Sequence, residues 1–301
     1  MNELKLQQFN ENCYAFTGVV NIGYCQKEGK GLLIDTGLDE SAIKKILKMV
    51  KQQELPLDYC IITHAHADHF GGAAYLKKVT GIPLYCPPME SAIIENPLLE
   101  PIYLFNGANP IKELRNKFLE GPSVKVDFHI ESGENRIGPF MFQALDLPGH
   151  SYAQAGLLIE DILYASDSYF GTESLEKHVI PFIIDADQTL ATLEKLLHIK
   201  CKGAIPGHGP YEENFSDTVR MNQRVHEERI HTLYQLIESK GVGETLESLT
   251  TQFLALHKLD VKNMGQWLLF RTSVTAYLTS LERQGRIKFY VKDNEPRVAI
   301  A

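Results

Sequence analysis

This chain of 301 residues lacks several features, and each absence closes off a class of protein. No apolar run approaches the roughly 18 residues that a membrane-spanning helix requires. The first stretch, Met1 to Asn12, is polar and contains no apolar segment of a secretion signal. The cysteines, at 13, 25, 60, 86 and 201, form no Cys-x-x-Cys pair. Their odd number and wide spacing argue for reduced thiols in a cytosol rather than a disulfide framework. Cationic excess is missing too: the net charge is −8, so nothing draws the whole chain toward nucleic acid. Internal repeats and low-complexity tracts are absent. What these exclusions leave is a cytoplasmic globular protein with no membrane partner. Its 44% hydrophobic residues supply a sizeable core, and its length fits one large domain with a smaller one.

What is there begins with Thr63-His64-Ala65-His66-Ala67-Asp68-His69-Phe70-Gly71-Gly72, which sets three histidines and an aspartate within six positions. Imidazole and carboxylate groups at such spacing suit zinc, iron or manganese. Tyr59-Cys60-Ile61-Ile62 reads as a short buried strand before it. Gly71-Gly72 and Ala73-Ala74-Tyr75-Leu76 read as the start of a packed helix after it. The cluster therefore sits on a loop with a rigid element at each end.

Apolar spacing frames the rest of the chain. Asp39 is positioned to cap a helix over 40–53, whose buried face is Ile43, Ile46, Leu47 and Val50. Gly138 to Leu147 reads as a strand, and Ala155–Ile159 with Ile162–Ala165 as a hairpin turning at Glu160-Asp161. Asp187 is the expected cap of a helix carrying Leu190, Leu193, Leu196 and Leu197. Residues 87–130, punctuated by Pro88, Pro97, Pro101, Pro110 and Pro122, read as an irregular binding segment, with Tyr103 and Phe105 as pocket walls. Lys112, Arg115 and Lys117 are expected on one helix there, facing either solvent or an anionic substrate.

The chain changes character near residue 216. From Arg220 onward there are twelve Lys and Arg against nine Asp and Glu. Helices are predicted to end near Lys240-Gly241, then over 244–257, 264–270 and 273–284, before strands at 286–291 and 298–300. Helices followed by a two-stranded ribbon resemble a winged helix. Such a tail would dimerise the chain, cap the active site or, as the alternative, bind nucleic acid.

Three later segments complete the chemical pattern: Leu147-Pro148-Gly149-His150-Ser151, Ala165-Ser166-Asp167-Ser168 and Ile205-Pro206-Gly207-His208-Gly209. With the His64–His69 stretch they resemble, in order, the HxHxDH motif and downstream ligand motifs of the metallo-β-lactamase superfamily. The resemblance covers residues 1 to about 215. It implies an α/β architecture, an αββα sandwich over 1–215, followed by the smaller, mainly helical, winged-helix-like domain over 216–301. It also implies two divalent ions, zinc with iron or manganese as alternatives. His64, His66 and His150 would hold one ion and Asp68, His69 and His208 the other, with Asp167 bridging both. A hydroxide shared by such ions attacks an ester, thioester or lactone of a small-molecule substrate, and Asp68 would help to move its proton. Asp35, in Asp35-Thr36-Gly37, would support the loop without binding metal.

The resemblance also sorts the substrates. The superfamily's β-lactamases place a cysteine among the second-site ligands, where this chain has aspartate and histidine. Thioesterases of the glyoxalase II type often carry a further histidine just after the Gly-His pair; this chain has Tyr152 and Gln154 there. The filled second site argues against single-iron sulfur dioxygenases. Lactonases and ribonucleases both keep the same seven positions and the motifs do not separate them, so an endoribonuclease or phosphodiesterase is the alternative function.

Overall fold

The computed structural model describes residues 4–240 and 243–301. Strands β1 (Lys5–Gln8), β2 (Cys13–Thr17), β3 (Ile22–Lys27) and β4 (Lys30–Ile34) form an antiparallel meander. Helix α1 (Glu40–Gln52) then crosses to β5 (Tyr59–Ile61). The single turn α2 (Ala67–Phe70) and α3 (Ala73–Thr80) lead to β6 (Leu84–Cys86), and α4 (Pro88–Glu95) and α5 (Leu99–Leu104) lead to β7 (Phe128–His129). Strands β4 to β7 run parallel, and β1 to β7 make one seven-stranded sheet in sequence order. The second sheet contains β8 (Gly133–Ile137), β9 (Phe140–Asp146), β10 (Ala155–Ile159) and β11 (Ile162–Ser166), all antiparallel. After α6 (Thr172–His178) and α7 (Ala186–Leu197), β12 (Gly203–Pro206) joins that sheet parallel to β11. The chain ends with α8 (Ser216–Lys240), α9 (Leu246–Leu256), α10 (Met264–Arg283) and the antiparallel ribbon of β13 (Ile287–Lys292) and β14 (Glu295–Ile300).

The period-two alternation of the strands divides the core into layers. In β4, Leu32 and Ile34 face the second sheet, where they meet Phe142, Leu157 and Tyr164, while Leu33 faces outward to Ile43 and Ile46 of α1. In β11, Ile162 and Tyr164 face inward, and Leu163 and Ala165 pack outward against Leu193 and Leu196 of α7. Two sheets thus lie face to face with helices on both outer surfaces, the expected αββα sandwich. Each fully buried side chain such as Ile43 contributes about 1.5–3 kcal/mol relative to exposure. Asp39 does cap α1, its carboxylate accepting a hydrogen bond from Ala42 N at 3.0 Å.

The tail helices share one apolar cluster, including Leu233, Phe253, Tyr277 and Leu281, with Ile180, Ile183 and Ala186 of the preceding chain. Among the described residues no helix is long and apolar enough to cross a membrane.

Several local expectations are corrected. The cap of α7 is Asp185, which accepts from the backbone N–H groups of Asp187 and Gln188; Asp187 lies inside the first turn, where it accepts from Ser280 Oγ. Helix α10 is continuous where two helices were expected. Helix α8 runs to Lys240, and Gly241 lies outside the described residues. Residues 87–130 contain α4 and α5 because Pro88 and Pro101 sit in first turns, where a missing N–H costs no helical bond. Lys112 joins only a short 3-10 turn; Arg115 pairs with Glu120 and Lys117 with Asp39.

Candidate active site

All four chemical motifs follow the ends of strands. His64 and His66 leave β5, and Asp68 and His69 occupy the α2 turn. His150 follows β9, Asp167 follows β11, and His208 follows β12. The seven side chains, expected from distant parts of the sequence, converge. Donor atoms of His64, His66 and His150 group within 4.8 Å, as do those of His64, His69 and Asp167, and those of Asp68, His69 and His208.

Four of the five rings, all but that of His66, are turned by a contact on the far side. His69 Nδ1 donates to Asp35 Oδ2 at 2.8 Å, which leaves Nε2 facing Asp167 Oδ1 at 3.3 Å. His150 Nδ1 donates to the Phe182 carbonyl at 2.9 Å, and His208 Nδ1 to the Val19 carbonyl at 3.0 Å. Their Nε2 atoms then stand 3.3 and 3.4 Å from Asp167 Oδ2. His64 Nδ1 lies 3.1 Å from both Thr63 Oγ1 and Ser166 Oγ, turning its Nε2 inward to within 3.0 Å of His66 Nδ1. Partners of this kind fix the tautomer and the ring direction of imidazole donors. Asp35 does more than orient His69, because it also accepts from Thr63 N and Thr63 Oγ1.

The electrostatics fall into two halves. Burial, then the neighbouring His69 and His66, holds His64 well below the usual histidine value; burial and then His150 hold His66 at about 3. Burial lowers His150 as well. In the other half burial opposes protonation, but Asp167 and Asp35 carry His69 well above its usual value, and Asp167 with Asp68 carries His208 up to about 10. Burial would raise Asp167; His208 and His69 instead hold it well below the usual carboxylate range.

Among the described residues, His69 Nε2 and Asp167 Oδ1 are buried without a hydrogen-bond partner, since their 3.3 Å approach is poorly aligned. An unpaired buried polar atom costs about 1–3 kcal/mol. A cation satisfies both atoms at once, and a set of five imidazoles and two carboxylates suits divalent metal ions. Gly207 is required here: a Cβ would lie 2.0 Å from Asp167 Oδ1.

Beside the cluster opens a cavity of about 240 Å³ whose walls include Phe118, Leu119, Phe170, Phe182 and Leu269 of α10, together with Glu100. Tyr103 and Phe105, expected as walls, pack elsewhere, beside Leu104 and Leu268. Lys112, Arg115 and Lys117 do not line it. Of the tail cations, Arg283 is held by Asp185 and Asp187, and Arg286 lies 3.7 Å over the Tyr234 ring.

Sequence reasoning missed two supporting residues. Glu90, fully buried on α4, accepts from Ala65 N, Ser151 Oγ and Ala153 N, and so ties the His64–His66 loop to the His150 loop. Asn21 donates to the carbonyls of Pro206 and Gly209 and steadies the His208 loop. The sequence carries little signal for Glu90, an acid beside Ser91 on a short helix whose buried face also holds Ile94.

Residues 15–208 match the pattern of the Metallo-beta-lactamase superfamily. A lactamase-like protein, aptB, of Emericella nidulans is 24% identical over 217 residues, 71% of this chain and 59% of its own length. A hydroxyacylglutathione hydrolase of Albidiferax ferrireducens is 26% identical over 148 residues, 48% of this chain and 45% of its own. The chain thus spans well short of the full length of either curated relative. The crystal structure of a metallo-beta-lactamase family protein from Thermus thermophilus superposes with a TM-score of 0.71 over 94% of both chains at 17% identity, a likeness of fold. With the matched pattern reaching from β2 to His208, the chain belongs to the metallo-β-lactamase superfamily, whose members are generally metal-dependent hydrolases.

Proposed function

We propose that the chain is a dinuclear metal-dependent hydrolase of thioesters, esters or lactones, with thioesters as the preferred class. In this reading His64, His66 and His150 would hold one ion and Asp68, His69 and His208 the second, with Asp167 placed to serve both. Bound there, two divalent ions supply a nucleophilic water at neutral pH and polarise the substrate carbonyl. The chain's own residues do the rest. Asp68, whose Oδ2 lies 3.2 Å from His208 Nε2, takes up and passes on the proton released as water attacks. The aromatic and aliphatic walls take up an acyl chain and exclude bulk water, which strengthens every polar contact inside.

The observation that carries this reading is the convergence of seven donors beside a cavity that, among the described residues, no lysine or arginine lines. A phosphodiester would bring charge that such walls do not neutralise, whereas an acyl group needs only apolar surface. The similarity to a hydroxyacylglutathione hydrolase supports a thioester. We also read residues 216–301 as a winged-helix-like unit that caps the site, because α10 contributes Leu269 to the cavity. The test is elemental analysis of metal-replete protein with an assay panel of thioesters, esters, lactones, phosphodiesters and RNA. Near two metal equivalents and thioester turnover are expected. A stable value of one sinks the dinuclear assignment, and turnover confined to RNA or phosphodiesters sinks the substrate class.

A further inference from the structure

Two buried glutamates stand ten residues apart near the site, and they are treated very differently by the fold. Glu90 is completely buried, and three donors hold its carboxylate. Glu100, on α5, is 4% exposed and lines the cavity, yet among the described residues no hydrogen bond or cation reaches its carboxyl. The charged groups that face it are acids, Asp68 and Glu90, and with burial they push it well above the usual carboxylate range. His178, the other polar cavity residue outside the seven donors, is solvent-exposed and can be satisfied by water. Buried polar groups in folded proteins almost always have partners. One left without a partner, on a cavity wall, marks the place where a ligand supplies it.

We propose that Glu100 is a specificity-determining residue, accepting a hydrogen bond from an N–H group on the acyl part of the substrate, an amide or an ammonium. The assignment rests on the thioesterase reading for the kind of molecule. The position of the acceptor is given by the cavity itself. Apolar walls around the one carboxyl outside the donor cluster discriminate strongly, because an acyl chain with a methylene in place of N–H leaves that carboxyl unpaired.

Two pairs of aryl thioesters test this. N-acetylglycyl and 4-oxopentanoyl thioesters differ by N–H against CH2; β-alanyl and butanoyl thioesters differ by ammonium against methyl. The metal-loaded wild type is expected to favour the nitrogen-bearing member of at least one pair by about 10- to 100-fold in kcat/KM. Glu100→Leu should bring that ratio close to one. Because both members are measured on the same preparation, the ratio does not depend on the folded fraction. Glu100→Gln keeps an acceptor oxygen, so it should retain a preference for the amide and lose one for the ammonium. Calorimetric binding of the matching thioethers, with the carbonyl reduced to a methylene, gives a second readout. Equal turnover of both members by wild type, or a preference that survives in Glu100→Leu, overturns the role of Glu100 and leaves the thioesterase reading standing. No turnover of any thioester, with a thioether preference that Glu100→Leu abolishes, overturns the thioesterase reading and leaves the subsite standing. Neither turnover nor a binding preference overturns both.

Discussion

Around Asp167 the buried side chains are mostly polar, and the outward ring nitrogens of His64, His69, His150 and His208 each meet an oxygen. Between α8, α9 and α10 the buried side chains are mostly apolar, and the buried pair His226 and Tyr277 bond to each other at 3.0 Å. The first region is directional: its groups are useful only in one orientation, and a carboxylate, carbonyl or hydroxyl enforces it for His64, His69, His150 and His208. The second is held by area, which tolerates sliding but not cavities. A single change should therefore abolish chemistry in the first region without unfolding the protein, and should weaken the second without touching the chemistry.

The largest effect is expected from Asp167→Ala, which removes the carboxylate facing His69, His150 and His208. Activity should fall by more than the roughly 100-fold of a supporting residue, with loss of at least one metal equivalent by elemental analysis. Retention of both metals would refute the bridging role. Next come Asp35→Ala and Glu90→Ala, each expected to cost about 10–100-fold in activity or metal affinity. If Asp35→Ala proved worse than Asp167→Ala, the two assignments would have to be exchanged. In the apolar region, Phe253→Ala should cost about 3–5 kcal/mol in urea unfolding and leave the metal content of the folded protein unchanged. A loss of metal there would erase the contrast.

The smallest effect is a pH slope. Burial, with Arg229 and His150 adding to it, holds His226 at about 3, against about 6.5 in an unfolded chain. Above pH 6.5 both states are neutral and the group contributes nothing. As pH falls below 6.5 the unfolded chain takes up a proton that the folded chain refuses, so stability drops by up to about 1.4 kcal/mol per pH unit. Urea unfolding of metal-free wild type and His226→Gln at pH 7, 6 and 5 should show a shallower fall in the variant. Parallel curves would mean that His226 is protonated in the fold.

Much of the site was legible because its residues are linked by close spacing or by order. His64 to His69 are neighbours, and His150, Asp167 and His208 each follow a recognisable strand. The Glu160-Asp161 turn was legible too, and both residues adopt positive φ there. Other features were hidden by long-range contacts. Helix α10 looked broken at Arg271-Thr272, and polar Arg271 and Ser273 flank that break. Both are buried and satisfied from afar, Arg271 by the Leu104 carbonyl and Asn106, Ser273 by the N–H of Ile183. Asp185 and Asp187 are equivalent as caps in a sequence; the chain's path into α7 selects the first and leaves the second to meet Ser280 and Arg283.

By itself, then, the sequence determined the His64–His69 cluster and the alternation that makes two sheets, because those depend on residue type and local period; His150, Asp167 and His208 were legible through the resemblance of their motifs. Only the tertiary structure decided that Glu90 is tied to both histidine loops while Glu100 faces the cavity unpaired, and that Tyr103 and Phe105 turn away from it. The physical reason is that the charge state and role of a buried carboxyl depend on which groups the fold brings within about 3 Å of it. Those groups lie 25 to 63 residues from Glu90 along the chain.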